Sequence, residues 1–508
     1  MRTLFINSFF LLTYIIITSC TGGENKTINN EDSKNVELES VKTSIKQNAV
    51  KLPARIQGAS PKKSSNLQID DTEKLQTLLN NGGVVNLGND KVYKVNSPLF
   101  VLKDDTKIIG NNALIQFSYR QSKDSPSYSE SLFIVKNKNG VTFSNIRLQY
   151  LGSYDLGTYD GMISGVYVTG ASNFVADSVE AFGFNRAGLN LGTGTNDYND
   201  KPIVKNCYLH DNRVAGCVYG NNDFGVVKNN RFHHNGLKGD SETGYGFAGW
   251  SASLPKNTSV TNNQANYNIR KGIDFHSGSD GEIIGNRCKG NLLVGIYANG
   301  VVGKWTIKGN TISDMQNSSS SKSISGIEFG NRDRNKNPKQ SIVFIISKNK
   351  ILNFTNNPDG LAFPILIYSS SIGQSGITVS DNVFNCGNIT SFIMVNASGK
   401  RKSSDFYDIS ISNNDFKATQ TFLNPIYLKG SQNRRKSIVN NSISIERAVG
   451  NAKYVIINDQ SLVGNNSLTV EGNTINVPTK GYTIKGSPIF LRDPSKEKIS
   501  SNKLVTEK

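Results

Sequence analysis

Charge is scarce in this chain of 508 residues: Asp, Glu, Lys and Arg make up 19% of it. That is too little for a charge-rich disordered protein or a coiled coil. Proline is sparse as well, 13 residues with no Gly-x-y period, which excludes a collagen-like rod. After the first twenty residues no long apolar run remains, so no later segment reads as a spanning helix. Beyond Cys20, cysteine is limited to Cys207, Cys217, Cys288 and Cys386, irregularly spaced and without a Cys-x-x-Cys pair. A zinc site is therefore unsupported, and buried free thiols are expected. Asn, Ser and 47 Gly take the place of charge, and the charge present leans basic, 57 Lys+Arg against 40 Asp+Glu for a formal +17. Length alone suggests about three domains of ~150 residues, unless one repeat array has grown instead.

The chain opens with Arg2, then apolar runs (Leu4 to Ile6, Phe9 to Leu12, Tyr14 to Ile17), then small polar residues. This is the layout of a secretory signal peptide. The run is shorter than the ~20 residues needed to span a bilayer and is broken by Asn7 and Ser8. Its end, Ile17-Thr18-Ser19-Cys20, resembles the bacterial lipobox. The resemblance implies a lipoprotein signal peptide over residues 1–19, acylation of Cys20, and export to the cell envelope, at the outer membrane or cell surface. A lipid anchor at Cys20 would be the membrane attachment. Residues 20–66 hold no aromatic side chain and are rich in Asn, Ser, Lys and Glu, which predicts a disordered tether. The folded domain is expected over 67–508.

Asp70-Asp71-Thr72 ahead of Leu75, Leu78 and Leu79 predicts an N-capped helix to about Asn80, closed by Gly82-Gly83. Short strands follow around Val84-Val85, Tyr93-Lys94-Val95 and Lys107-Ile108-Ile109. This order resembles the entry of pectate lyase superfamily β-helices, in which such a helix caps the open end of the coil. Further on, one phrase recurs, beginning at Gly165, Gly188, Gly216, Gly246, Gly272, Gly295 and Gly326, at intervals of 23, 28, 30, 26, 23 and 31. A second phrase falls between the copies: Asn229-Asn230, Asn262-Asn263, Gly285-Asn286, Gly309-Asn310, then Asp381-Asn382, Asn413-Asn414, Asn440-Asn441 and Gly472-Asn473. Such periods mean one coil per repeat. The expected fold is all-β, a single-stranded right-handed parallel β-helix (a solenoid) of roughly a dozen coils, about 4.8 Å apart, with a short N-terminal capping helix. Asparagine tolerates left-handed turns and can bond its counterpart one coil on, so a ladder is expected.

Equivalent positions of successive coils stack, so the outward residues of the glycine phrase form columns. One reads Tyr167, Asn190, Val218, Ala248, Asp274, Tyr297, Glu328, and the other Thr169, Gly192, Gly220, Trp250, His276, Asn299, Gly330. Asp274 and His276 share a strand face, with Trp250 and Tyr297 on the neighbouring coils. β-Elimination of a uronate polymer needs a base, a proton donor to the leaving oxygen, and a group that neutralises the carboxylate. His276 or Tyr297 suits the first two, and Arg270, Lys271, Asn299 or Asn190 the third. Trp250 offers a ring to a sugar, and Glu328 completes the substrate-binding set.

Gly272-Ile273-Asp274-Phe275-His276 resembles the Asp-Pro-His strand of mannuronan epimerases, whose Asp and His belong to the active site. Phe275 stands at the family's proline, and Lys271 at its catalytic tyrosine, three residues before the Asp. A lysine there resembles instead the β-helical lyases that use Lys or Arg as base. The catalytic set is thus Asp274, His276, Tyr297 and Lys271, in a protein that cleaves an acidic polysaccharide by β-elimination. Three alternatives stay open: uronate epimerisation; hydrolysis by a pair drawn from Asp240, Glu242, Asp274, Asp280, Glu282 and Glu328; and a noncatalytic glycan-binding or surface scaffold. No metal site is assigned. His233-His234 should point to opposite faces of a strand, and calcium on acidic loop residues is the one cofactor left open. Basic clusters at Arg332 to Arg334, Lys400 to Lys402 and Arg434 to Lys436 would draw an acidic polysaccharide to the loops between coils. Nucleic acid is not an expected partner of an exported lipoprotein.

Overall fold

The computed structural model describes residues 70–507 apart from 121–126, 153–161, 193–197, 238–242, 251–255, 316–322, 332–341, 356–359, 370–373, 398–405, 431–434, 449–453, 460–466, 479–488 and 492–496. The signal peptide, Cys20, the tether, Asp240, Glu242 and most of the three basic clusters lie outside the described residues.

The chain enters through the helix Thr72–Asn81, which turns Leu75 and Leu79 to the core and stops at Gly82, where φ is 68°. The N-cap residue Asp71 makes no side-chain cap bond; Asp70, just before it, accepts at Oδ1 from the Thr72 backbone N–H (3.0 Å) and Oγ1 (2.6 Å). Asp71 instead accepts from the Lys94 backbone at 3.0 Å, tying the helix to the first coil. Gln76 then acts as a substitute strand. Its Oε1 accepts from Phe100 N–H (2.8 Å) and its Nε2 donates to Phe100 C=O (3.0 Å), so the open edge of strand Leu99–Val101 is satisfied.

From there the strands of the two main sheets pair in parallel from coil to coil. One sheet holds fourteen strands, from Leu99–Val101 to Ile489–Leu491, one per coil. A larger sheet holds 27, most coils giving it two short strands on either side of a left-handed turn. In one coil these are Val226–Lys228 and Arg231–His233, with Asn229 between them at φ 58°. The fold is a right-handed parallel β-helix. Its fourteen-strand sheet gives slightly more coils than the dozen expected. Alternation drives Val, Ile, Leu and Phe inward, and one continuous apolar core runs from Leu75 to Ile489. Cys207, Cys217, Cys288 and Cys386 are buried and unpaired, and burial pushes the Cys207 and Cys288 thiols up to about 12.

The asparagine ladder is present and long. Asn230, Asn263, Asn286, Asn310, Asn349, Asn382, Asn414, Asn441 and Asn473 each pass an Nδ2–H to the Oδ1 of the next, the last to Asn502, at 2.8–3.0 Å. Each follows a turn residue with positive φ, such as Asn262 (55°), Gly285 (67°) or Asn440 (55°), which aims its amide inward. Asn349 makes four bonds: Oδ1 accepts from the N–H and Nδ2 of Asn310, and Nδ2 donates to Ile307 C=O and to Asn382. Asn349→Ala orphans buried groups on both sides, and the expected loss is about 3 kcal/mol, read as a lower urea midpoint.

A second ladder, Asn212, Asn235, Asn268 and Asn291, explains a departure from the sequence reading. His234 precedes Asn235 and takes the left-handed turn, φ 53°, so its ring swings onto Tyr267 (5.4 Å, stacked). It lies 6.1 Å from His233 instead of on the opposite face. Arg435 and Lys436 depart similarly, being strand residues and not loop residues. Arg435 pairs with Asp408 at 3.0 Å, and Lys436 is buried between Ile409 and Leu468.

Candidate active site on the fourteen-strand sheet

The glycine phrase builds the site through its first residue. A Cβ on Gly246, Gly272 or Gly295 would come within 2.6–2.7 Å of the next coil's glycine carbonyl oxygen, so the chain can stack there only as glycine. The pairing steps over it: Lys271 pairs with Val294, and Ile273 with Ile296. Gly272 and Gly295 are stepped over together, so the register is unchanged, and Lys271 meets Asp274 on the same outer side although they lie three apart. A third outward column results, reading Ala187, Ala215, Tyr245, Lys271, Val294 and Ser325. The column Tyr167, Asn190, Val218, Ala248, Asp274, Tyr297, Glu328 has the register expected from the repeat.

Asp274 is the centre, with no exposed surface. Its Oδ1 accepts from Lys271 Nζ at 3.0 Å. Its Oδ2 accepts from Trp250 Nε1 at 2.8 Å and lies 2.9 Å from His276 Nε2. Burial alone would raise this carboxyl, but the charges of His276 and Lys271, with the hydrogen bonds from His276 and Trp250, hold it well below the usual range. Asp274 is therefore a fixed anion. Burial lowers the Lys271 ammonium to about 8, helped by Arg270 and opposed by Asp274 and Glu328. Lys271 Nζ stands 3.2 Å from the centre of the Tyr297 ring, a close cation–π contact.

His276 keeps 20% of its side chain exposed, whereas Lys271 and Tyr297 are buried. Its ring lies 5.2 Å from Tyr297 and 6.2 Å from Trp250. A neutral imidazole that donates from Nε2 to a carboxylate carries its lone pair on Nδ1. Asp274, His276, Lys271, Tyr297 and Trp250 thus form one cluster. Asn299 sits on the coil after His276, buried, with both amide atoms lacking a hydrogen-bond partner among the described residues. Glu328 is the register neighbour of Tyr297.

Other members of the predicted set stand apart from Asp274 or are turned to another use. Asn190 is separated from Asp274 by the coils of Val218 and Ala248. Arg270 donates from Nη1 to the Tyr245 hydroxyl at 2.8 Å. Trp250, expected to offer its ring to a sugar, spends its N–H on Asp274 and meets Tyr245 edge-on at 4.8 Å. Asp280 and Glu282 belong to the larger sheet, where Glu282 accepts from Ser259 and Asp280 from the Lys304 backbone. Among the described residues no group of three His, Cys, Asp or Glu side chains is placed to hold a metal ion. Sequence reasoning missed Tyr245, Arg186 and Tyr128. Tyr245 could have been found, since it precedes Gly246 as Lys271 precedes Gly272.

A family model described as a right-handed β-helix region matches residues 78–264. No curated protein sequence matches the chain. Among solved structures, the tailspike of E. coli bacteriophage HK620, in complex with a pentasaccharide, superposes at a TM-score of 0.52 with 12% identity, over 85% of this chain and 75% of that one. The mannuronan C-5 epimerase A-module of Azotobacter vinelandii gives 0.46 at 15% identity, over 81% and 96%. The catalytic unit of a thermostable α-1,3-glucanase from Streptomyces thermodiastaticus gives 0.46 at 16%, over 80% and 66%. The likeness to the tailspike is one of fold.

Proposed function

We propose that the outer face of the fourteen-strand sheet binds an acidic polysaccharide and cleaves it by β-elimination. The observation that carries this reading is the saturation of Asp274, whose two oxygens are taken by Lys271, Trp250 and His276. A carboxylate so held cannot deliver a proton, nor is it open as a nucleophile or as a base toward water, and hydrolysis needs two working carboxylates. With Asp280 and Glu282 in the other sheet, Glu328 is the one other expected carboxylate near this cluster among the described residues. What Asp274 does well is orient and charge-stabilise an imidazole.

In this mechanism His276 removes the proton beside the uronate carboxylate, and the resulting electron pair expels the glycosidic oxygen across the adjacent carbon–carbon bond. Tyr297 gives its phenolic proton to that oxygen, and the Lys271 ammonium on its ring stabilises the phenolate. His276 then returns its proton to solvent, and Tyr297 is reprotonated. The tailspike, which shares this fold and is seen with a pentasaccharide, supports a glycan as partner by analogy of fold. The test is to incubate the protein with alginate, pectate and neutral glycans, following ultraviolet absorbance of unsaturated uronate and reducing ends together. Absorbance is expected with acidic polymers only. Reducing ends without absorbance would mean hydrolysis, and no product on any uronate polymer would remove the lyase reading.

A further inference from the structure

Two coils before Trp250, Arg186 precedes the strand Ala187–Leu191 and sends its guanidinium along the outer face. It lies 5.6 Å from the Tyr128 ring and 5.6 Å from the Trp250 ring. Tyr128 in turn stacks on Tyr167 at 5.4 Å. The floor beneath is made of small side chains, Ala187, Ala215, Val218 and Ala248, all buried, with Tyr245 and Trp250 beside them. A long cation above small residues and between aromatic rings is held in one place. Yet Arg186 has no carboxylate partner among the described residues, and its Nε is buried without a hydrogen bond. Arginine presents a planar fork matched to a carboxylate, and aromatic contacts fix that fork without consuming its donors.

Asn299 is the counterpart on the far side of His276, a buried amide whose donor and acceptor are both unmatched among the described residues. Four strand spacings, about 19 Å, separate the coils of Arg186 and Asn299, and His276 lies between them. Leaving a buried amide and a buried guanidinium N–H unmatched is costly unless something else completes them.

We infer that Arg186 anchors a second subsite, which takes the carboxylate of a sugar residue neighbouring the one at His276, and that Asn299 bonds a neutral oxygen of the chain on the other side. The polymer then runs along the stack of coils, and acidity is read at Arg186 as well as at the reacting residue. This rests on the proposed function, because it assumes a uronate chain on this face.

The experiment compares binding of a uronate hexasaccharide with the same hexasaccharide after its carboxyls are reduced to alcohols. Calorimetry is run on wild type, Arg186→Gln, Arg186→Lys and Asn299→Ala, each first checked for an unchanged melting profile. Wild type should prefer the acidic form. Arg186→Gln should lose about tenfold or more of that preference, with Arg186→Lys in between because it keeps the charge and loses the fork. Asn299→Ala should weaken both ligands alike. A purely structural role for Arg186 would weaken both ligands equally, and an unchanged preference in Arg186→Gln overturns the inference while leaving the lyase reading standing. Failure of wild type to bind either hexasaccharide overturns both.

Discussion

Replacing His276 with alanine is expected to lower kcat on an acidic polymer by about 10²–10⁴-fold, the usual contribution of a positioned general base. KM should change little, because the ring is partly exposed and makes few of the contacts that hold the chain. The melting profile should change little too, since removing the imidazole leaves Asp274 with Lys271 and Trp250 as partners. Tyr297→Phe probes the other half of the reaction. It keeps the ring that carries Lys271 and removes the proton for the leaving oxygen, so kcat should fall by about 10²-fold or more. A substrate with a better leaving group should recover activity in Tyr297→Phe and not in His276→Ala. Retention of activity within about threefold in His276→Ala would assign the base to another residue.

The parts of this molecule legible in the sequence are those fixed by period. The Asn-Asn phrases gave the ladder because each turn needs a left-handed residue followed by an inward amide, and asparagine suits both roles. The coil repeat aligns Asp274 with Tyr297, and the two strands pair in that register. What a strict alternation cannot show is a break in it at a glycine. Lys271 entered the candidate set as a charge for the substrate carboxylate and, through a resemblance, as a base, whereas its presence beside Asp274 goes with Gly272, over which the pairing skips. The same skip hides Tyr245 and with it the third column. Chain proximity misled in the opposite direction. Asp280 and Glu282 follow His276 by only a few residues, but a corner intervenes and carries them to the larger sheet. Burial was the other illegible quantity. An outward position in the repeat is not thereby an exposed one: Trp250 folds back over the face and closes Asp274 off, which depends on where a long side chain lies and not on its place in the repeat.

That closure sets the largest stability effect. Asp274→Ala would leave the Lys271 ammonium buried without its anion and would remove the acceptor of the Trp250 N–H, and breaking such a pair costs about 3–5 kcal/mol. Asp274→Asn keeps the volume and one acceptor oxygen and should cost less. The double variant Asp274→Leu with Lys271→Met removes both charges together, and it should recover most of the loss, because the desolvation of the two ions disappears with their attraction. Two pH dependences separate the partners. The folded carboxyl of Asp274 is held below its unfolded value, so its contribution is present above the ordinary carboxylate range and fades as pH falls through it. Lys271 has the opposite sense. Its folded value is lowered from 10.5 to about 8, so across that window the unfolded chain binds more protons and stability rises with pH. Chemical denaturation from pH 3 to 10 should therefore show a wild-type acid limb that is weaker in Asp274→Asn, and an alkaline rise that is absent in Lys271→Met. If Asp274→Ala unfolds at the wild-type denaturant midpoint, Asp274 is not the anion that holds this cluster together.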